Sequence, residues 1–326
     1  MRVLIIGITG LMGGFLAREW LRQEPTAEIY GTYRWRSRMN NVDDLRQRIH
    51  LRECDVRDQS SIRQLMTETR PDRIFHLAAQ SSVATSLHAP ADTLATNMVG
   101  LVNVLEAMRE IHPQARILVP GSSEEYGLQQ PDELPVRETA FLRPLSPYGV
   151  SKVAQDMTGL QYFESYGLHI VRTRAFNHTG PGREDVFVES NLARQIAEIE
   201  AGLRAPVVHV GNLDVVRDYS DVRDIARAYV TALEAGAPGE VYNICSGHGV
   251  RIGDMLDMLL SMSTASIEVK PDASRMRHNE ALTLTGDASR FRELTGWAPE
   301  IPLRDTLGEI LDYWRASLRS EARTGI

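Results

Sequence analysis

The chain has 326 residues, 43% hydrophobic and 24% charged, an ordinary globular balance that excludes disordered, collagenous and coiled-coil chains. Lys and Arg total 36 against 43 Asp and Glu, and this net charge of −7 argues against nucleic acid and anionic membrane surfaces as partners. The length predicts about two domains.

Cys54 and Cys245 are the only cysteines, too few for a disulfide framework, and neither C-x-x-C nor H-E-x-x-H occurs, so no metal site is expected. The opening MRVLIIGITGLMGG has too short an apolar run for a signal peptide, and no stretch approaches the roughly 20 apolar residues of a spanning helix. A cytoplasmic protein without a membrane contact is expected.

In chain order, Val3–Ile6, Ile29–Tyr33, Ile74–Leu77, Ile117–Val119 and His169–Arg174 read as buried strands. Between them lie amphipathic helical patterns, including Phe15–Gln23, Ser60–Thr69 and Thr93–Ile111. The alternation predicts an α/β chain built on a Rossmann-type, doubly wound parallel sheet. Beyond residue 177 the elements scatter: helix Leu192–Ala201, strand Val207–Val210, helix Val222–Glu234 with Asp221 as its N-cap, strand Val241–Cys245, helix Asp254–Met262 and helix Leu303–Leu318. The expected division is a dinucleotide-binding domain, 1–176, and a smaller α/β substrate lobe, 177–326, partly interleaved with it.

Gly7-Ile8-Thr9-Gly10-Leu11-Met12-Gly13 follows the first strand and opens a helix. Glycines there let the backbone approach a pyrophosphate, and the helix N-terminus offers amide donors to it. The second strand runs into Arg34-Trp35-Arg36 with no carboxylate, so two guanidiniums favour NADP(H), with NAD(H) as the alternative. Asp55 and Val56 are expected near the adenine, and Leu77, Ala78 and Ala79 beside the cofactor.

Tyr148-Gly149-Val150-Ser151-Lys152 is Y-x-x-x-K, which puts phenol and ammonium on one helix face. The lysine is expected to lower the phenol's pKa, so that Tyr148 exchanges a proton with a hydroxyl while a hydride moves to or from nicotinamide.

Together with HLAAQSS, GSSEEYG, SPYGVSK, RAFNHTGPG and VRDYSDVRD, these motifs resemble the extended short-chain dehydrogenase/reductase superfamily of nucleotide-sugar epimerases, dehydratases and reductases. Within it the chain looks most like the enzymes acting on GDP-mannose and its 4-keto-6-deoxy product. The resemblance implies that Ser122 hydrogen-bonds the substrate C4 oxygen, that Tyr148 is the proton donor or acceptor, and that Lys152 holds the nicotinamide ribose. Glu124 matches the glutamate that removes the C5 proton in the dehydratases. Ser81 and Ser82 fall where the family contacts the hexose. Asn177, Asn212, Arg217, Arg277 and Glu280 fall where it holds the nucleoside diphosphate, although His278 replaces a proline in the Arg277–Glu280 segment.

The implied activity is NADP(H)-dependent reduction of a GDP-4-keto-6-deoxyhexose at C4 to a GDP-6-deoxyhexose of the GDP-rhamnose type, by a homodimer or homotetramer. The alternatives are a GDP-mannose 4,6-dehydratase, another nucleotide-sugar dehydratase or epimerase, and a silent NADP-sensing regulator. Intact Ser122, Tyr148 and Lys152 weigh against the regulator.

Overall fold

The computed structural model describes residues 1–276 and 281–324. Strands β1 (Arg2–Ile6), β2 (Glu28–Tyr33), β3 (Ile49–Glu53), β4 (Arg73–His76), β5 (Arg116–Ser122) and β6 (His169–Ala175) lie in one sheet in the order β3-β2-β1-β4-β5-β6, every pair parallel. β1 shows why the sequence reads as one apolar run. Val3 and Ile5 enter the core on one face with Leu16 and Trp20, whereas Leu4 and Ile6 enter the other with Ile74 and Val104. Side chains alternate along a strand, so a strand covered on both faces needs apolar residues throughout.

The helices of this half are α1 (Leu11–Gln23), α2 (Gln59–Thr69), α3 (Val83–His88), α4 (Pro90–Leu94), α5 (Gly100–Ile111) and α6 (Pro147–Tyr166). The helix expected over Thr93–Ile111 runs from α4 into α5 through a π turn at Ala95–Val99. Inside that turn Asn97 accepts from the Gln80 N–H at 2.8 Å and donates to the Gln80 carbonyl at 3.1 Å and to Ser151 Oγ at 2.8 Å. One amide thus ties the loop after β4 to α6.

The second half adds β7 (Asn177–Thr179), α7 (Val188–Glu200), β8 (Val207–Val210), β9 (Val216–Asp221), α8 (Val222–Ala235), β10 (Val241–Ile244), β11 (Gly249–Arg251), α9 (Ile252–Ser261), β12 (Glu268–Pro271), β13 (Thr283–Leu284), α10 (Ser289–Thr295) and α11 (Leu303–Thr324). α7, α9 and α11 share a separate core that includes Leu192, Ile196, Met255, Leu259, Ile310 and Leu311. The interleaving comes from two elements. β10 pairs with β6 as the seventh strand of the main sheet, and α8, N-capped by the Asp221 carboxylate accepting from the Arg223 N–H at 2.7 Å, puts Ile225, Tyr229 and Leu233 into the core shared with α1.

β9 was not expected from its composition, Val-Arg-Asp-Tyr-Ser-Asp, yet it is buried almost throughout. Asp218 shows how, accepting from Ser246 N at 2.9 Å, Ser246 Oγ at 2.6 Å and Gly247 N at 2.9 Å. Burying charge is tolerated when its hydrogen bonds are satisfied. β1 lies between β2 and β4, so the strand order reverses there, and ligands of such sheets bind beyond the carboxyl ends of the strands at that reversal. No helix among the described residues is long and apolar enough to cross a membrane.

Candidate active site

Gly7 leaves β1 at φ +90°, and a Cβ there would lie 2.8 Å from the Ala78 nitrogen. Its N–H donates to the buried Thr32 hydroxyl at 2.8 Å. A Cβ on Gly13 would lie 2.4 Å from the Ile8 carbonyl oxygen, so the third glycine lets α1 close onto the turn. Gly10 differs: a Cβ there would meet only the Gly7 carbonyl oxygen, at 3.5 Å. Gly10 is the N-cap of α1, extended at φ −67° and ψ 165°, and no side chain caps that helix. The turn from Thr9 through Leu11 and Met12 therefore offers uncapped N–H groups and room for a close approach, which fits a dinucleotide pyrophosphate.

Arg34 and Arg36 stand exposed beyond β2, with the Arg36 guanidinium 4.7 Å from the Trp35 ring centroid. Asp55, after β3, is held below the usual carboxylate range chiefly by the hydrogen bond from Arg57, with a contribution from Arg34. The Val56 carbonyl accepts from Asn103 at 2.8 Å. Leu77, Ala78 and Ala79 follow β4, where the Leu77 N–H donates to the Ile6 carbonyl at 2.9 Å.

Ser122 ends β5 and is buried. Its hydroxyl accepts from the Glu124 N–H at 3.2 Å, while its own N–H donates to Glu125 Oε1 at 2.7 Å. Neighbouring carboxylates thus take different places. Glu125 is fully buried beside Arg174 (3.3 Å), and burial pushes its carboxyl up to about 8. Glu124 lines the cleft, and its carboxylate has no hydrogen-bond partner among the described residues. α6 begins with Ser146 capping the Gly149 N–H at 3.0 Å and Pro147 in its first turn, which directs Tyr148 and Lys152 inward together.

The expected tuning of Tyr148 by Lys152 takes another form. Burial pushes the phenol up to about 12, against the hydrogen bond with Ser122, and the cation acting on it is Arg183. The Lys152 ammonium lies 6.0 Å from the Tyr148 ring centroid and donates to the Pro120 carbonyl at 2.8 Å. Burial also holds this lysine well below its ordinary value.

A cleft of about 800 Å³ opens between the two halves. It brings Ser122, Glu124 and Tyr148 together with Ser81, Ser82, Asn177, Asn212 and Arg217. Ser82 also caps α3, accepting from the Thr85 N–H at 3.2 Å. Arg277 and Glu280 lie outside the described residues. The sequence singles out neither Arg183 nor His178 as a site residue, yet both line the cleft. His178 Nδ1 lies 3.1 Å from the Phe176 carbonyl, and burial lowers its pKa to about 4, so the ring is neutral. A lone arginine in a Gly- and Pro-rich loop reads as solvated, and only the fold of residues 177–189 turns it inward.

A glycine-rich turn at the sheet's reversal, with a Ser–Tyr–Lys set where β5 ends and α6 begins, is the architecture of the extended short-chain dehydrogenases/reductases. The chain belongs within them to the GDP-mannose 4,6-dehydratase family, whose sequence model matches residues 4–310, and it is an enzyme of the oxidoreductase or lyase type. It is 36% identical to a GDP-6-deoxy-D-mannose reductase of Pseudomonas aeruginosa, over 82% of this chain and 88% of that one. Against a GDP-mannose 4,6-dehydratase of Yersinia enterocolitica the identity is 31%, over 95% of this chain and 92% of that one. The solved structure of RMD from Pseudomonas aeruginosa complexed with NADPH superposes with a TM-score of 0.84 at 32% identity, covering 97% of this chain and 99% of that one.

Proposed function

We propose that this enzyme is a GDP-sugar reductase that converts a GDP-4-keto-6-deoxyhexose to a GDP-6-deoxyhexose with NADPH, residues 1–176 holding the cofactor and 177–326 the sugar nucleotide. The observation that carries the reading is the higher identity to the reductase, 36% against 31% to the dehydratase. The Ser122–Tyr148 pair on the cleft wall suits it, because reduction of a ketone needs a group that orients the oxygen and a phenol that protonates it.

The cofactor is NADP(H), with Arg34 and Arg36 beyond β2 placed for a 2′-phosphate; when bound, it supplies the hydride to C4. Ser122 orients the C4 oxygen, Tyr148 protonates that oxygen as the C=O π pair moves onto it, and solvent re-protonates the phenolate. Lys152 holds the nicotinamide ribose. Asn177, Asn212 and Arg217 bind the substrate's polar groups, and Ser81 and Ser82 contact the hexose.

Glu124 favours a second reading, a GDP-mannose 4,6-dehydratase, because an unpartnered carboxylate beside Tyr148 suits the base such an enzyme needs at C5. Incubation with GDP-mannose, and separately with its 4-keto-6-deoxy derivative plus NADPH, decides by product NMR. A reductase consumes one NADPH per 4-keto sugar and leaves GDP-mannose untouched. Conversion of GDP-mannose without net NADPH oxidation would sink the reductase reading.

A further inference from the structure

The last three residues of β5 anchor two side chains of opposite charge. The Lys152 ammonium donates to the Pro120 carbonyl at 2.8 Å, and Glu125 Oε1 accepts from the Ser122 N–H at 2.7 Å. These groups belong to consecutive peptide units, about 3.5 Å apart along an extended strand. Both side chains also meet one face of that strand. Ile117 and Val119 enter the core that Tyr162 of α6 shares, so alternation turns Gly121 the same way. A Cβ on Gly121 would collide with Glu125 Oε1. The glycine leaves the space beneath α6 that the carboxylate fills, and α6 brings Lys152 onto the same three residues. Glu125 is 0% exposed and Lys152 5%.

The cation nearest to Glu125 does not need it. Arg174 Nε lies 3.3 Å from Glu125 Oε2, yet that oxygen receives no hydrogen bond among the described residues. Arg174 donates instead to Asp156 Oδ2 at 3.0 and 2.6 Å, to the Tyr126 hydroxyl at 3.1 Å and to the Glu138 carbonyl at 2.9 Å. Asp156 accepts from Arg172 as well, at 2.6 Å. The layer under α6 therefore buries three cations, Lys152, Arg172 and Arg174, with two carboxylates, Asp156 and Glu125. Asp156 is shared between the arginines, which leaves Glu125 for Lys152. The other titratable groups around the lysine bring no charge at neutral pH. Burial pushes the Tyr148 phenol up to about 12, His76 at the end of β4 down to about 3, and His178 on β7 down to about 4. A buried ammonium is tolerated when a carboxylate accompanies it.

We propose that Glu125 is a positioning residue of the active site, whose carboxylate holds Ser122 by its backbone and is the counter-charge that keeps Lys152 an ammonium. The assignment rests on reading Ser122, Tyr148 and Lys152 as the catalytic set, and it is the same for ketone reduction and for 4,6-dehydration. The electrostatics agree in direction: burial lowers Lys152 and Glu125 opposes it.

The test uses a property of the composition. Lys152 and Lys270 are the only lysines of the chain, so the full-length protein labelled with [ε-¹³C]lysine gives one Cε signal for each. Lys270, half-exposed and 3.0 Å from Glu268, is the internal reference, assigned by Lys270→Arg. The wild-type Lys152 signal should titrate below that of Lys270. In Glu125→Gln, which keeps an acceptor for Ser122 but removes the charge, it should fall a further 1–2 pH units or so, about the effect of losing a counter-charge a few ångströms away. Lys270 should not move. Glu125→Asp, which withdraws the charge by one methylene, should fall between. The alkaline limb of kcat/KM should shift acidward in step with the signal. An unmoved Lys152 signal in Glu125→Gln overturns the proposal, because a carboxyl already protonated is equivalent to the amide. Turnover lowered at every pH with signal and limb both in place would make Glu125 a structural cap only, and overturns it too. If Glu125→Gln does not fold, Glu125→Asp decides, and an unmoved signal there has the same meaning. A signal that moves while the limb stays put refutes the role of Lys152 in turnover and leaves the charge pair standing.

Discussion

At the scale of single residues, two carboxylates and a phenol separate scaffold from chemistry. Tyr148→Phe removes the hydroxyl placed for proton transfer, so turnover should fall about 10²–10⁴-fold. NADPH binding should persist, because the phenol does not touch the pyrophosphate turn; near-normal turnover of the purified variant would remove Tyr148 from the mechanism. The pH profile adds a sign. Burial holds Lys152 below its ordinary value, so its ammonium is present at low pH and lost as pH rises through the lowered pKa. The alkaline limb of the reductive kcat/KM should therefore lie below the pH near 10.4 at which a free lysine titrates. Glu124→Gln should cost less than about 10²-fold in ketone reduction, where no base at C5 is required. Near-abolition, with solvent deuterium appearing at C5 of product made from GDP-mannose, would instead make Glu124 the dehydratase base. The sequence showed Tyr148 and Lys152 through their spacing. It could not show that Glu125 is the buried member of the glutamate pair, because both sit in one short turn and only the direction of that turn separates them. Nor could spacing reveal that burial dominates at the phenol and that a cation acting on it is Arg183.

At the scale of elements, the first strand–turn–helix unit assigns different work to glycines that look alike in sequence. Gly7 has φ +90° and its missing Cβ would strike the chain after β4, so Gly7→Ala should destabilise the fold by about 1–3 kcal/mol, and cofactor binding should fall with it. Gly10 has an extended backbone that alanine adopts without strain, and its missing Cβ would touch protein only at 3.5 Å. Gly10→Ala should keep the melting temperature and lose NADPH affinity, since the added methyl fills the space a pyrophosphate must approach. Equal losses of stability in the two variants, read by denaturant unfolding, would contradict this division. The motif was legible because any tight strand-to-helix turn at this point needs small residues, but its spacing does not say which glycine answers to protein and which to ligand. β7, β9, β11 and β13 were not legible for a related reason. A strand such as β9 stays buried by pairing its Asp218 with backbone and hydroxyl donors, and that leaves no apolar alternation to read.

At the scale of the whole molecule, the doubly wound sheet was evident from its strand–helix alternation, whereas the path by which the chain returns to it was not. The strand expected at Val241–Cys245 carried no mark of its destination, because pairing with β6 depends on contacts made more than sixty residues earlier in the chain. That return has a thermodynamic consequence. β10 completes the sheet edge at β6, and α8 covers the face of α1 with Ile225, Tyr229 and Leu233. If residues 177–326 unfolded alone, β6 would become an open edge and the core over α1 would be bared to water. The cleft takes its walls from both halves, Ser122 and Tyr148 from one and Arg183 and Arg217 from the other. Chains of this size often unfold in steps. This one should instead give a single transition, with far- and near-ultraviolet circular dichroism coincident. A ligand that binds only the folded state adds about 2.7 kcal/mol at a hundred times its Kd. On the proposed function NADPH belongs to the first half and GDP to the second, and each should therefore move the whole transition upward by several degrees. Two resolved transitions, with NADPH raising one and GDP the other, would show that the halves fold independently and that β10 and α8 do not couple them.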